Sequence, residues 1–325
     1  MTAPRNASNL QHPLILALDY GGTKHTVGVL AVGTGDWLAH DRVYSPPGAD
    51  ARYDQVTVVK LAHDLLARTQ GQLVAIGVSF GGPVDSTQGV VRLSHHVPGW
   101  ENTPLRDQLQ AEFSVPAAVD NDANVAALGE WRFGAGQGCT SLLYVTVSTG
   151  IGGGWVLNGK VYSGADGMAG EIGHIVVRPG GAECVCGKHG CLEVEACGRA
   201  IARKMRERLA SGRHLHTAQH PGTAEPVTGE SVARAAQQGD VLAQEVMDDV
   251  ARMLGVGLGG AINLMNPQRI VLGGGVTKSG ARWWRIVRET ARYHALPQIS
   301  VDIRPAALGD DAPLWGAVAL AEPLL

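Results

Sequence analysis

Residues Gly170 to Glu195 read G-E-I-G-H-I-V-V-R-P-G-G-A-E-C-V-C-G-K-H-G-C-L-E-V-E, and their reading decides the rest of the chain. Three of the five cysteines fall here, Cys184, Cys186 and Cys191, with His174 on the apolar segment just before them. Glycine lets such a loop turn tightly enough to aim three sulfurs at one point. Three thiolates and one imidazole make a closed tetrahedral zinc site of the structural kind. Soft ligands with no redox chemistry nearby favour zinc over copper or iron. The C-x-C spacing is tighter than the usual C-x-x-C pair, so spacing alone is also compatible with three reduced thiols. Glu171 and Glu193 flank the ligands. Fixed beside a metal they could grip sugar hydroxyls together with His174; otherwise they are ordinary solvated glutamates.

Working outward, a strand, a glycine turn and a returning strand occur twice, near residues 14–32 and 141–157. The first turn, Asp19-Tyr20-Gly21-Gly22-Thr23-Lys24, closes an apolar run with a carboxylate. Bare glycine backbone there presents N–H donors to phosphate oxygens, and Asp19 is suited to a hydrated Mg²⁺. The second turn is Ser148-Thr149-Gly150-Ile151-Gly152-Gly153-Gly154, and a third glycine cluster, Gly273-Gly274-Gly275, follows another apolar run. Asp120-Asn121-Asp122-Ala123-Asn124 opens a helix. Asp122 reads as its cap or as a general base that takes a proton from a sugar hydroxyl.

C-V-C-G-K-H-G-C-L-E after G-E-I-G-H resembles the signature of the ROK family of sugar kinases and sugar-responsive repressors. D-Y-G-G-T-K, S-T-G-I-G-G-G and N-D-A-N resemble that family's two phosphate turns and its catalytic segment, and the resemblance runs from about Leu14 to the C-terminus. It implies the actin-like, or ribonuclease-H-like, duplicated α/β fold with a cleft between domains. The expected smaller domain is 14–119 completed by 309–325, after a disordered tail at 1–13. The larger domain is 120–308, with a zinc loop over 174–193. The resemblance implies ATP-dependent phosphorylation of a hexose at its 6-hydroxyl, glucose first, with Asp122 as base. It assigns Asn121, Glu171, His174, Glu193 and Gly82 to the sugar. Asp19, Gly21, Gly22, Thr23, Lys24, Thr149, Gly150 and Gly273–Gly275 go to ATP and Mg²⁺, and His174, Cys184, Cys186 and Cys191 to structural zinc. The sugar is expected between the domains, whose closure excludes water. A homodimer or homotetramer is implied as well. Ser148 stands where the family more often has glycine in the second phosphate turn. Ser79 to Pro83 and Ser94 to Trp100 match the family's sugar-side loops only roughly, with His96 where asparagine is often found, so the sugar is less well specified than the reaction.

Three motifs point elsewhere. Gly77-Val78-Ser79-Phe80-Gly81 matches the hydrolase nucleophile elbow, but Gly81-Gly82-Pro83 is a poor helix start. Gly154 to Lys160 approaches a P-loop, yet Asn158-Gly159 signals a hairpin. Gly255 to Gly260 fits a dinucleotide fingerprint but lies inside a helical pattern. Helices are expected over Ala51–Thr69, Glu195–Leu209, Val241–Met265 and Leu314–Leu320, and one capped by Asn102 runs to Phe113.

A chain of 325 residues with 45% hydrophobic and 18% charged residues is long and apolar enough for two real cores. A net charge of −3 gives no basic field for nucleic acid or anionic lipid. No apolar run reaches membrane-spanning length. The N-terminus lacks a signal region, and only about thirteen residues precede the first strand, which argues against a DNA-binding head. Cysteines gathered in one cluster fit a reducing, cytoplasmic setting. Ser211 to Gly229, with His214, His216 and His220, reads as a solvated polar loop.

Overall fold

The computed structural model describes residues 12–94, 96–212 and 226–325. The expected tail up to Gln11, His95 and most of the loop carrying His214, His216 and His220 lie outside the described residues. The chain divides into two compact units, one reaching to Gly129 and including Pro313–Leu325, the other Glu130–Ala312.

The first unit holds β1 (Pro13–Tyr20), β2 (Lys24–Ala31), β3 (Trp37–Tyr44), α1 (Ala51–Leu66), β4 (Gln72–Phe80), the short β5 (Val84–Asp85) and β6 (Val90–Val91), α2 (Leu105–Phe113), β7 (Ala117–Asn121) and the start of α3 (Asp122–Phe133). Its five-stranded sheet has the order β3-β2-β1-β4-β7. β1 pairs antiparallel with β2 and parallel with β4, which runs parallel to β7. Pro13, read as tail, already stands in β1, where its carbonyl accepts from Val32 N–H at 2.9 Å.

The second unit repeats this plan. It holds β8 (Ser141–Val147), β9 (Ile151–Leu157), β10 (Lys160–Val161), α4 (Leu192–Ala196), α5 (Gly198–Ala210), α6 (Gly229–Gln237), α7 (Val241–Met265), β11 (Arg269–Gly273), α8 (Ala281–His294) and β12 (Asp302–Pro305). Its sheet order is β10-β9-β8-β11-β12, again an antiparallel meander feeding parallel strands. The same five-strand order made twice is the actin-like duplication. Each sheet has its own core, around Leu16, Val29 and Val78 in the first unit and around Val145, Leu254 and Leu272 in the second.

Several local expectations are corrected. Asn102 does not cap α2; it takes a left-handed turn at φ 54°, and the helix starts at Leu105 with no side-chain cap. The helix expected from Glu195 breaks at Cys197 into α4 and α5, because Cys197 is extended and becomes the N-cap of α5. The seam falls within α3, later than Val119, since β7 stays hydrogen-bonded to β4 through Asn121. The hairpin at Asn158-Gly159 forms with both φ values positive, 51° and 79°. In α7, Gly255 and Gly259 abut Thr290 and His294 of α8, so these glycines serve close helix packing.

The closing helix α9 (Ala312–Ala321) is apolar on every side and correspondingly buried. A Cβ on Gly77 of β4 would overlap the carbonyl of Ala317, and one on Gly316 would overlap that of Val125. Gly77→Ala is therefore expected to cost about 1–3 kcal/mol by overpacking. Gly35→Ala, in open space, should stay within about 0.5 kcal/mol of the parent. Urea denaturation of both variants checks the pair, and equal stability would contradict this packing.

Candidate active site

In the first unit the chemistry gathers at the carboxyl ends of the parallel strands, where open α/β sheets bind ligands. Register places Asp19 beside Ser79 and Ser79 beside Asp120 on adjacent strands. Ser79 is fully buried within β4 and donates to Asp19 Oδ1 at 2.9 Å. The serine of the apparent hydrolase elbow thus orients the carboxylate read as the Mg²⁺ group. The turn after Asp19 closes through Gly21 N–H to Lys24 O at 3.2 Å, and Gly22 packs on the His96 ring. A buried group missed in the sequence props the turn: Ser45 N–H donates to Thr23 O, and Ser45 O–H donates to Asp54 Oδ1 at 2.6 Å beside His25.

Asp122 begins α3 at the end of β7. Its Oδ2 lies 3.9 Å from where a Cβ on Gly81 would stand. Ala123 N–H is shared by two side chains, donating to Asp122 Oδ1 at 2.8 Å and to Asn121 Oδ1 at 2.9 Å, while Asn121 Nδ2 donates to Gly82 O at 3.0 Å. Two of the residues assigned to sugar, Asn121 and Gly82, are thereby joined, and the Asn amide orientation is fixed. Asp120 is the buried carboxyl of this segment. Burial pushes it above the usual carboxylate range against hydrogen bonds from Asn124 and the Asn121 N–H.

In the second unit the turn at Ser148–Gly150 follows β8, and Gly273–Gly275 follows β11, its parallel neighbour. The turns abut, since a Cβ on Gly274 would overlap Val147 O; Gly275 faces open space. Glu193 reaches the first of them. Its Oε2 accepts from Ile151 N–H at 3.0 Å, and its side chain is only 17% exposed. Glu193 is therefore fixed, as the sugar assignment requires, but by a turn rather than by the cysteine loop.

The cysteine loop is a small hairpin bridged at Glu183 and His189, with Cys184 and Cys186 on its tip. One ligand atom from each of His174, Cys184, Cys186 and Cys191 lies within 4.8 Å of all the others. Cys184 Sγ is 3.5 Å from His174 Nδ1, and Cys186 Sγ is 3.6 Å from Cys191 Sγ. A tetrahedron with Zn–S bonds of about 2.3 Å has edges near 3.8 Å, so the spacing fits a metal. It is far beyond the bond length of a disulfide, about 2.05 Å. Burial and the neighbouring sulfurs push the Cys191 thiol up to about 12, a burden that a bound cation would relieve. With Nδ1 turned to the sulfurs, His174 directs Nε2 outward, 3.9 Å from the exposed Glu171 carboxylate.

A family model described as the ROK family matches residues 15–323. The chain belongs to the ROK family. It is 39% identical over 252 residues to a glucokinase of Halalkalibacterium halodurans, covering 77% of this chain and 76% of that protein. A ROK glucokinase from Streptomyces griseus, solved with glucose and AMPPNP, superposes with a TM-score of 0.77 at 32% identity, over 95% of this chain and 99% of that one. The N-acetylglucosamine repressor of Escherichia coli O157:H7 is 38% identical over 216 residues, 66% of this chain and 52% of the repressor.

In this ROK chain a charged network that the sequence did not reveal supports the cysteine loop. Glu195, only 2% exposed, accepts from Ala182 N–H at 3.0 Å and from Lys204 Nζ at 2.8 Å. Lys204 also donates to Asp249 Oδ2 at 2.6 Å, and Arg178 spans Glu195 and Asp249. The loop is thus tied to α4, α5 and α7. Burial pushes both carboxyls up, but the Lys204 ammonium, aided by Arg178, outweighs it and holds each below the usual carboxylate range. Depressed carboxyls contribute stability above their unfolded value and lose it as pH falls through the lower folded one. Lys204→Met leaves buried negative charge under-compensated and is expected to cost about 3 kcal/mol at neutral pH. As pH falls below about 4 the gap to wild type should begin to narrow, closing fully only below the depressed folded values of the two carboxyls. Urea titrations from pH 7 to pH 3 read both effects; a gap as wide at pH 3 as at pH 7 would contradict the account.

Proposed function

We propose that this chain is an ATP-dependent kinase for the 6-hydroxyl of a hexose, with glucose as first substrate. The observation that carries the reading is Asp122: a carboxylate at the carboxyl end of β7, next to an Asn121 amide locked between Gly82 and the helix start. A sugar hydroxyl is a weak nucleophile. Asp122 accepts its proton as the O6–phosphorus bond forms and the bond to the β-phosphate oxygen breaks, releasing ADP. Asn121, Gly82, Glu171, His174 and Glu193 are the groups assigned to the sugar hydroxyls.

The glycine turns at Gly21–Lys24, Thr149–Gly150 and Gly273–Gly275 cradle ATP by their N–H groups, and Lys24 adds a cation. Mg²⁺, held through Asp19, supplies charge neutralisation on the phosphates. Zinc, held by His174, Cys184, Cys186 and Cys191, fixes the loop; four protein ligands leave no open position for water activation. The similarity to a glucokinase solved with glucose and an ATP analogue supports both substrates. A cytoplasmic setting fits free thiols and an ATP donor, and no described helix is long and apolar enough to cross a membrane.

Other acceptors within the same chemistry are N-acetylglucosamine, N-acetylmannosamine and fructose, and polyphosphate is the other donor. The identity to a repressor favours a second reading, a sugar-responsive regulator. ADP release across a sugar panel, with a gel-shift at moderate salt, separates the two. Asp122→Asn is expected to lower turnover by about 10²–10⁴ while glucose binding survives; undiminished turnover would overturn the base assignment. Cys186→Ala should lose zinc by elemental analysis and weaken glucose binding, and full activity in a metal-free protein would refute the structural role of zinc.

A further inference from the structure

Arg199 stands beside the second phosphate turn for reasons that are local and specific. Cys197 caps α5, its Sγ accepting from Ala200 N–H at 3.4 Å. Gly198 N–H donates to Ser148 O at 2.7 Å, and a Cβ on Gly198 would come within 3.0 Å of that same carbonyl. The start of α5 is therefore pressed onto the turn, and the next side chain runs along it. Arg199 Nε donates to Thr149 O at 3.1 Å, and its Nη2 stands 3.7 Å from the place a Cβ on Gly150 would occupy.

The guanidinium is oriented but not consumed. Its nearest carboxylate, Glu193 Oε1, is 3.7 Å from Nη2, beyond hydrogen-bond reach. Glu193 is itself committed through its other oxygen to Ile151 N–H. Arg199 is 63% exposed, so four of its five N–H groups remain for a ligand. A planar fork of donors fixed beside backbone N–H groups suits phosphate oxygens, which take such pairs bidentately. Phosphoryl transfer spreads negative charge over the moving group's oxygens, where a positioned guanidinium is most effective.

We propose that Arg199 is a phosphate-binding residue that contacts the terminal phosphates of the donor nucleotide. The assignment rests on reading Ser148–Gly150 as a phosphate turn. It adds a side-chain cation in the second unit to a cradle otherwise built there from backbone.

The test compares wild type, Arg199→Met and Arg199→Lys. It uses AMPPNP and glucose affinities by calorimetry, and kcat and KM for ATP and for glucose. Loss of a charge-assisted contact should weaken AMPPNP binding and lower kcat/KM for ATP by about 10–100-fold in the Met variant. Glucose affinity should stay within about twofold, and the Lys variant should recover part of the loss. Unchanged AMPPNP affinity and kcat/KM in Arg199→Met would overturn the proposal. So would an equal loss for glucose, which would make Arg199 a prop for Glu193. A wild-type protein that binds no AMPPNP and phosphorylates no sugar would instead overturn the kinase reading itself, an outcome visible before any variant is made.

Discussion

Where the parallel strand pairs end sets the position of Asp19, Asp122 and the glycine turns after β8 and β11. β1 with β4 and β7, and β8 with β11, are held in register by ladders of backbone hydrogen bonds. A slip of one residue would turn every side chain to the opposite face. Asp19 would then lose Ser79, and Asp122 would no longer leave the sheet beside Gly81. The register is protected because both faces of the central strands are buried. Leu14 through Leu18 and Leu142 through Val145 are all nearly inaccessible to solvent. Hydrophobic burial thus fixes the coordinates at which polar groups emerge, and the glycine turns only exploit that placement.

The second unit adds a different kind of constraint. A hairpin such as residues 182–190 has little apolar surface with which to pin itself. It is held instead by Glu195, Lys204, Arg178 and Asp249, charges drawn from the loop and three helices. Such networks are not the cheapest way to gain stability, since desolvation offsets much of the attraction. What they supply is position. The Glu195 carboxylate seizes the Ala182 N–H two residues before Cys184, and Gly181 has no room for a side chain because that same carboxylate oxygen lies 2.5 Å from its would-be Cβ. The cysteines are therefore presented by a loop that is ordered from behind.

The sequence made the outline of this arrangement legible because its signals are local. Glycine turns after apolar runs, the Asn158-Gly159 hairpin, the Val241–Met265 helix and the cysteine spacing each follow from neighbouring residues, and each appears at or within a few residues of its expected place. What the sequence hid was long-range pairing. Nothing near Ser79 reveals that it turns to Asp19, sixty positions away, and nothing near Glu195 announces Lys204 and Asp249. Asn102 failed as a cap for a related reason: Asn favours caps and left-handed turns alike, and tertiary context chose the turn. Arg199 escaped notice because an arginine in the first turn of a helix looks like solvated surface until Gly198 is seen pressed on Ser148.

His174 shows how the two kinds of constraint meet. One imidazole offers two nitrogens, and each has a different neighbour: Nδ1 faces the sulfur of Cys184, while Nε2 faces the carboxylate of Glu171. A metal on Nδ1 would fix both the tautomer and the ring plane, leaving Nε2 as an N–H donor of defined direction. The backbone is secured as well, since Lys188 Nζ donates to His174 O at 2.7 Å. A histidine free to rotate would select poorly among hydroxyls, because a hydrogen bond that swings loses the geometry that gives it specificity. On this account a metal bound there would do no chemistry; it would remove the torsional freedom of one ring, and the ion network behind the loop would hold the metal in place.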